Sequence, residues 1–312
     1  MSQTVGLVDQ ADRTMDVSVA SAARSPKEAT TLTVVRSIGD LREAVRGWRR
    51  EGLTVALVPT MGAIHEGHIS LVRTAFGRCD RVIVSLFVNP TQFGPNEDIA
   101  TYPANEAKDA ARLAEAGVDL LFAPLAGEIY PEGFATTVTV SGLTDGLCGR
   151  FRPGHFAGVA TVVTKLLVQA APDVAIFGEK DFQQLQVIRR LARDLDLPVE
   201  IVGSPTVRDA DGLALSSRNA YLSPEERAIA PALYRTLSAV AERVSDGTFS
   251  CEEACRQAER DLLAAGFRSV DYVAVCDAET LQPLDRVDRS ARVLGAARLG
   301  KARLIDNLGV RG

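Results

Sequence analysis

Between residues 53 and about 207, short and mostly apolar runs alternate with amphipathic helical patterns. The runs are Leu53–Val58, Arg81–Val88, Val118–Ala123, Val174–Phe177 and Val199–Val202, and helical patterns fall near 67–77, 105–116, 158–170 and 182–195. A strand that is apolar on both faces needs cover on both faces, and helices placed between successive strands supply it. The alternation therefore predicts an α/β fold, a Rossmann-like parallel sheet flanked by helices. Thr136–Val140, where Thr and Val alternate, reads as a small side strand.

The character changes after residue 207. A polar loop, Arg208–Asn219, leads to Ser223-Pro224-Glu225-Glu226, a helix start with proline just inside it and acids in the first turn. Helices over 224–245 and 251–265 are expected next, then three strand-like runs, Val270–Cys276, Arg292–Ala297 and Arg303–Ile305. This predicts a Rossmann-like domain over 31–206 and a smaller C-terminal α+β domain over 207–312, meeting near Pro205–Val207. Residues 1–30 are rich in Ser, Ala, Thr and Asp without periodicity, which predicts a mobile N-terminal tail. They lack the apolar centre of a signal peptide, and Asp9, Asp12, Asp16 and Glu28 do not suit a transit peptide.

A net charge of −5 argues against nucleic acid as a partner, because surfaces that track phosphate backbones are basic. No apolar run approaches the roughly 20 residues that span a bilayer, so no membrane is expected. The five cysteines (79, 148, 251, 255 and 276) are odd in number and scattered. Cys251 and Cys255 could share a helix face, but no second pair or nearby histidine completes a zinc set. Reduced cysteines in a cytoplasmic protein are the reading that follows.

The chemistry-bearing segments fall at strand ends and helix starts, where open α/β sheets place ligands. Pro59-Thr60-Met61-Gly62-Ala63-Ile64-His65-Glu66-Gly67-His68 follows the first apolar run, opens a helix and holds two of the three histidines. A helix N-terminus has unpaired amides and a positive dipole end, so it attracts anions, and glycines let a ligand approach the backbone. Val88-Asn89-Pro90-Thr91-Gln92-Phe93-Gly94 carries neutral amides suited to hydroxyl or carboxylate recognition. Arg150-Phe151-Arg152-Pro153-Gly154-His155 brings the third histidine and two arginines to another helix start. In Phe177-Gly178-Glu179-Lys180-Asp181-Phe182-Gln183-Gln184, Lys180 could hold a phosphate and Asp181 a Mg²⁺ ion. Gly212 to Asn219, containing Leu215-Ser216-Ser217-Arg218, offers two hydroxyls and a cation on a loop able to close over a triphosphate.

A strand followed by H-x-G-H, with a late Ser-Ser-basic loop, resembles the HIGH and KMSKS signatures of the nucleotidylyltransferase and class I synthetase superfamily. The larger set, PTMGAIHEGH, VNPTQFG, RPGHFAGVATVVTKLL, FGEKDFQQL and DGLALSSRNAYLS, resembles the pantothenate synthetase (pantoate–β-alanine ligase) family in order and spacing. The resemblance runs over roughly residues 31 to 310. Glu97-Asp98 matches the family's acidic loop. Two positions differ: Ala104 stands where the family usually has arginine after Tyr102-Pro103, and Leu215 where some relatives have methionine.

The resemblance implies ATP-dependent joining of (R)-pantoate to β-alanine through a pantoyl adenylate, with ATP as co-substrate, Mg²⁺ as metal and a homodimer as the assembly. It implies that Met61, Gly62, Ala63, Ile64, His65, Glu66, Gly67 and His68 line the ATP site, with His68 catalytic. Gly178, Glu179, Lys180 and Asp181 would also bind ATP, Lys180 on phosphate and Asp181 near the metal. Val207 would hold the adenine side, and Leu215, Ser216, Ser217 and Arg218 would close over the phosphates. Gln92 and Gln184 would grip pantoate, Gln92 also lying near β-alanine. Another nucleotidyl transfer leaves the two glutamines unexplained. A non-catalytic nucleotide-binding module would be favoured by loss of a histidine or of Lys180, and the set is complete.

Overall fold

A computed structural model describes residues 32–310 except 96, 246 and 248; the expected tail over 1–30 lies outside the described residues. The parallel sheet has six strands: β1 (Thr33–Val35), β2 (Val55–Thr60), β3 (Arg81–Leu86), β4 (Leu120–Phe122), β5 (Val174–Gly178) and β6 (Glu200–Ser204). Their spatial order is β1-β4-β3-β2-β5-β6, and every pairing is parallel.

Successive residues of a strand point to opposite faces, and both faces are covered here. Val55 and Leu57 pack with the helices Ile38–Arg50, His155–Ala170 and Phe182–Asp194. Ala56 and Val58 pack with Glu66–Phe76 and with Leu113 of Glu106–Glu115. This double cover explains the uninterrupted apolar runs in the sequence. β1 and the helix after it were not anticipated. β1 has only three residues, and two of them are exposed, so it leaves no apolar run to read.

The chain winds outward from β2 through β3 and β4, then returns to β2's other edge as β5. The order of strands thus reverses between β2 and β5, and a crevice opens beyond their C-terminal ends. The turn after β2 carries the paired histidines, and the turn after β5 carries Lys180 and Asp181.

The C-terminal strands β7 (Ser269–Asp277), β8 (Ala291–Leu299) and β9 (Ala302–Val310) form an antiparallel meander. Helices Ala232–Ser245 and Cys251–Ala264 close it into a second apolar cluster, with Leu237, Val240 and Leu262 against Val293 and Leu304. Two expectations need correction. The helix expected over 224–245 is two helices, Pro224–Ile229 and Ala232–Ser245, broken at Pro231, which has no N–H to donate and whose ring crowds the preceding turn. Thr136–Val140 is not a strand: the Val138 N–H donates instead to the Thr161 hydroxyl at 2.9 Å, laying the segment along a helix.

Candidate active site

The histidine turn is a helix start capped by its own imidazoles. His65 is the N-cap of Glu66–Phe76, with extended backbone at φ −133° and ψ 176°. Its Nδ1 accepts from the Gly67 N–H at 3.1 Å, and the Nδ1 of His68 accepts from the His65 N–H at 3.3 Å. A Ser–Glu capping box satisfies two orphan donors in the same reciprocal way. A ring nitrogen that accepts from a backbone N–H carries no proton, so both neutral rings hold theirs on Nε2.

Burial, then the nearby Lys180 and Arg112 charges, push the His65 imidazole down to about 4. Burial and the adjoining His65 ring, its centroid 4.1 Å away, push His68 down to about 3. Both rings are therefore neutral N–H donors at neutral pH. Gly67 is needed for a reason besides ligand access: a Cβ there would stand 2.8 Å from Cε1 and 2.9 Å from Nδ1 of His65.

A cavity of about 230 Å³ fills the crevice. Met61, His65, Gly67 and His68 line it from the β2 side, and Gly178, Lys180 and Asp181 from the β5 side. Val207, Leu215, Ser216, Ser217 and Arg218 line it from the loop after β6, and Gln92 and Gln184 complete the wall. Five other residues named from the sequence do not line it. The Ala63 and Ile64 N–H groups donate to Asp109, and Gly62 packs against the same carboxylate. Glu66 pairs with Arg73, and Glu179 with Arg292.

Lys180 and Asp181 share one 3₁₀ turn, Glu179–Asp181, which brings Nζ to 3.8 Å from Oδ2 although they are sequence neighbours. The Asn307 amide donates to the carbonyls of both Glu179 and Lys180 at 2.9 Å, so β9 fixes this turn from behind. Among the described residues no three His, Cys, Asp or Glu side chains form a metal cage. A lone Asp181 carboxylate suits Mg²⁺, which is commonly held by one or two carboxylates together with phosphates and water.

The two glutamines face different surroundings. Asn89 is fixed by accepting from the Thr91 N–H and donating to the Gly158 carbonyl, so its Nδ2 also donates to Gln92 Oε1 at 3.0 Å. The Gln92 NH₂ is left for the cavity. The turn can approach helix His155–Ala170 this closely because residue 158 is glycine: a Cβ there would lie 2.4 Å from the Thr91 carbonyl oxygen. His155 accepts from Arg152 through Nε2 and donates through Nδ1 to the Gln92 carbonyl, both at 2.9 Å. Burial, then the Arg152 charge, push His155 down to about 4. Gln184 lines the cavity, whereas Gln183 is buried and bonds the Leu143 and Gly146 carbonyls and the Cys148 N–H.

A strap crosses the mouth. Arg218 donates to both oxygens of Asp98 at 3.0 and 2.9 Å, and Arg152 to both oxygens of Glu97 at 2.6 Å. Tyr102 meets the Ser217 hydroxyl at 3.3 Å, and Tyr221 donates to the Thr101 carbonyl at 3.2 Å. Burial raises the Asp98 carboxyl, but the Arg218 guanidinium outweighs it and holds the group below its ordinary value. Arg152 and His155 were visible in a quoted segment without an individual role, Tyr102 only as a landmark, and Asn89 only as one of two neutral amides. Asp109 and Arg112 were missed; the available sign was a carboxylate on the same helix stripe as Leu113.

Residues 33–309 match the family described as Pantoate-beta-alanine ligase. The pantothenate synthetase of Paramagnetospirillum magneticum is 62% identical over 282 residues, 90% of this chain and 99% of that one. That of Rhodospirillum rubrum is 57% identical over 280 residues, 89% of this chain and 99% of that one. The crystal structure of pantothenate synthetase from Thermus thermophilus aligns with a TM-score of 0.85 at 53% identity, covering 90% of this chain and 100% of that one. The pantoate-beta-alanine ligase of Francisella tularensis, in a crystal structure with beta-gamma ATP and beta-alanine, gives 0.76 at 34% identity, covering 90% and 99%. With the family match, the overall fold and about nine-tenths of the chain in agreement, this chain belongs to the pantoate–β-alanine ligase family.

Proposed function

We propose that the chain condenses (R)-pantoate with β-alanine at the expense of ATP, through a pantoyl adenylate. The observation that carries this reading is a single crevice lined by imidazole, ammonium and guanidinium donors together with two neutral carboxamides, Gln92 and Gln184. A pantoate carboxylate oxygen attacks the α-phosphorus of ATP and the bond to pyrophosphate breaks, giving the acyl adenylate and free pyrophosphate. The β-alanine amine then attacks the acyl carbon, AMP leaves and the amine proton is released. Neither step needs a protein nucleophile.

The geometry supports the following roles. His68, and beside it His65, present Nε2–H donors to phosphate oxygens, stabilising charge that grows in the transition state. Lys180, Ser216, Ser217 and Arg218 hold the departing pyrophosphate, with Met61 and Gly178 shaping the floor and Val207 and Leu215 the nucleotide wall. Gln92 and Gln184 bond pantoate, and Gln92 also meets β-alanine. A substrate lacking the matching hydroxyl would leave a buried amide unpaired and be rejected strongly. Mg²⁺ at Asp181 would neutralise phosphate charge when bound.

Residues 207–312 act as a lid over 31–206 in this reading, with the strap through Asp98 and Arg218 as the closing contact. Homodimeric assembly and a cytoplasmic location belong to the same proposal. Among the described residues no helix is long and apolar enough to cross a membrane.

Pantoate-dependent exchange of labelled pyrophosphate into ATP, without β-alanine, tests the reading. Exchange that requires pantoate is expected. A nucleotidyltransferase with another acceptor would ignore pantoate, and a binding module would show no exchange.

A further inference from the structure

The turn that delivers the histidines runs through two successive residues of positive φ, Gly62 at 84° and Ala63 at 52°. Alanine in that region carries a conformational cost, and something must hold it there. Backbone turns of this kind can aim successive N–H groups at one point and so form a concave anion seat. The seat here is already filled by a protein carboxylate. Asp109 Oδ2 accepts from Ala63 and Oδ1 from Ile64, each at 2.8 Å, and the residue is only 2% exposed.

The grip is two-sided. Arg112, further along the same helix, Glu106–Glu115, donates from Nη1 to the Ile64 carbonyl at 2.7 Å. That helix is anchored on the sheet's face by fully buried Leu113. The residue after Ile64 is His65, whose N–H donates to His68 Nδ1. A hydrogen-bonded chain thus runs from a rigid helix, through the three peptides joining residues 62 to 65, to the imidazole that faces the cavity.

We infer that Asp109, assisted by Arg112, is a positioning residue that fixes the Nε2–H tautomer and the aim of His68. The inference rests on the proposed adenylation chemistry for its catalytic consequence, but its structural content does not depend on it. The amides at 63 and 64 do not bind nucleotide; they are occupied in shaping the turn. Because the carboxylate touches no part of the cavity, its loss acts on turnover more than on affinity.

The test uses Asp109→Asn and Arg112→Met in the full chain, with two readouts. Imidazole ¹⁵N resonances report the tautomers of His65 and His68 without any substrate. Pantoate-dependent pyrophosphate exchange reports adenylation. For Asp109→Asn we expect His68 to lose its single Nε2–H signature and exchange turnover to fall about 10²-fold, the scale of a roughly 1 Å misplacement, with KM for ATP changing less than about threefold. Arg112→Met should shift both readouts in the same direction and by less. It decides the matter if Asp109→Asn does not fold. Unchanged tautomers and turnover in a folded variant, whatever its melting temperature, would overturn the inference. Absence of exchange in the unmodified protein would instead overturn the proposed function, leaving the tautomer result to stand or fall separately.

Discussion

Arg218 closes on both carboxylate oxygens of Asp98, at 2.9 and 3.0 Å, so the guanidinium proposed for phosphate is already occupied by an anion of the protein. An incoming triphosphate must compete for it. Replacing Asp98 by asparagine removes the competitor while keeping the shape. The expected result is a KM for ATP lowered by about fivefold, equivalent to about 1 kcal/mol for a partly exposed pair. Steady-state kinetics at saturating pantoate checks it, and a raised KM would mean that the strap's closure matters more than the competition.

His68 donates from Nε2 because its Nδ1 is taken by the His65 N–H. His68→Ala removes that donor, and turnover should fall by about 10²–10³, the usual cost of losing one preorganised donor to developing charge. Near-normal turnover would remove His68 from the mechanism.

All three histidines are held neutral by burial, His65 and His155 down to about 4 and His68 to about 3. A folded-state value below the unfolded one, about 6.5, means that unfolding takes up protons in acid. Their stabilising contribution is complete above about pH 6.5 and is lost as pH falls, through about 4 for His65 and His155 and about 3 for His68. The urea midpoint should therefore decline between pH 7 and 5, before most carboxylates titrate. His155→Gln should flatten that decline by about a third if the three contribute equally. A midpoint constant over this range in the unmodified protein would contradict neutral burial of the rings.

Adjacent glutamines should behave in opposite ways. Gln183→Ala leaves the Cys148 N–H and the Leu143 and Gly146 carbonyls without their partner, and should cost about 2–4 kcal/mol of stability. Gln184→Ala should leave the melting temperature nearly unchanged and raise KM for pantoate, with ATP binding largely kept. Thermal melts beside substrate titrations separate the two. Equal loss of ATP and pantoate affinity in Gln184→Ala would show that Gln184 does not belong to pantoate.

That pair also marks where sequence reading stops. Strands covered on both faces must be apolar throughout, so five of the six parallel strands were legible. β1 was not, because its short edge is half exposed. The segment Thr136–Val140 has strand composition, but a helix hydroxyl takes its central N–H, and composition carries no information about which partner wins. At the site, short-range motifs placed the histidines, Lys180 and Arg218 at the crevice. Local chemistry alone does not separate Gln183 from Gln184, because helix phase relative to a distant loop divides them; the family resemblance singled out Gln184, and Gln184 is the one that lines the cavity. Asp109 was hidden for the same reason: its partners lie 45 and 46 residues away. Gly67 looked like room for a ligand; it lines the cavity and leaves room for the His65 ring as well.

Ala56 of β2 lies opposite Val174 of β5, so the two lips of the crevice come from stretches far apart along the chain. Pairings between near neighbours close small loops; this one closes a large loop, which makes it slow to form. A nascent chain ending before Val174 would carry its histidine turn with no opposing lip to complete a nucleotide site. ATP thus has little to hold on a half-wound sheet. Its binding energy goes to the finished molecule alone, so the nucleotide should raise the unfolding temperature without speeding assembly.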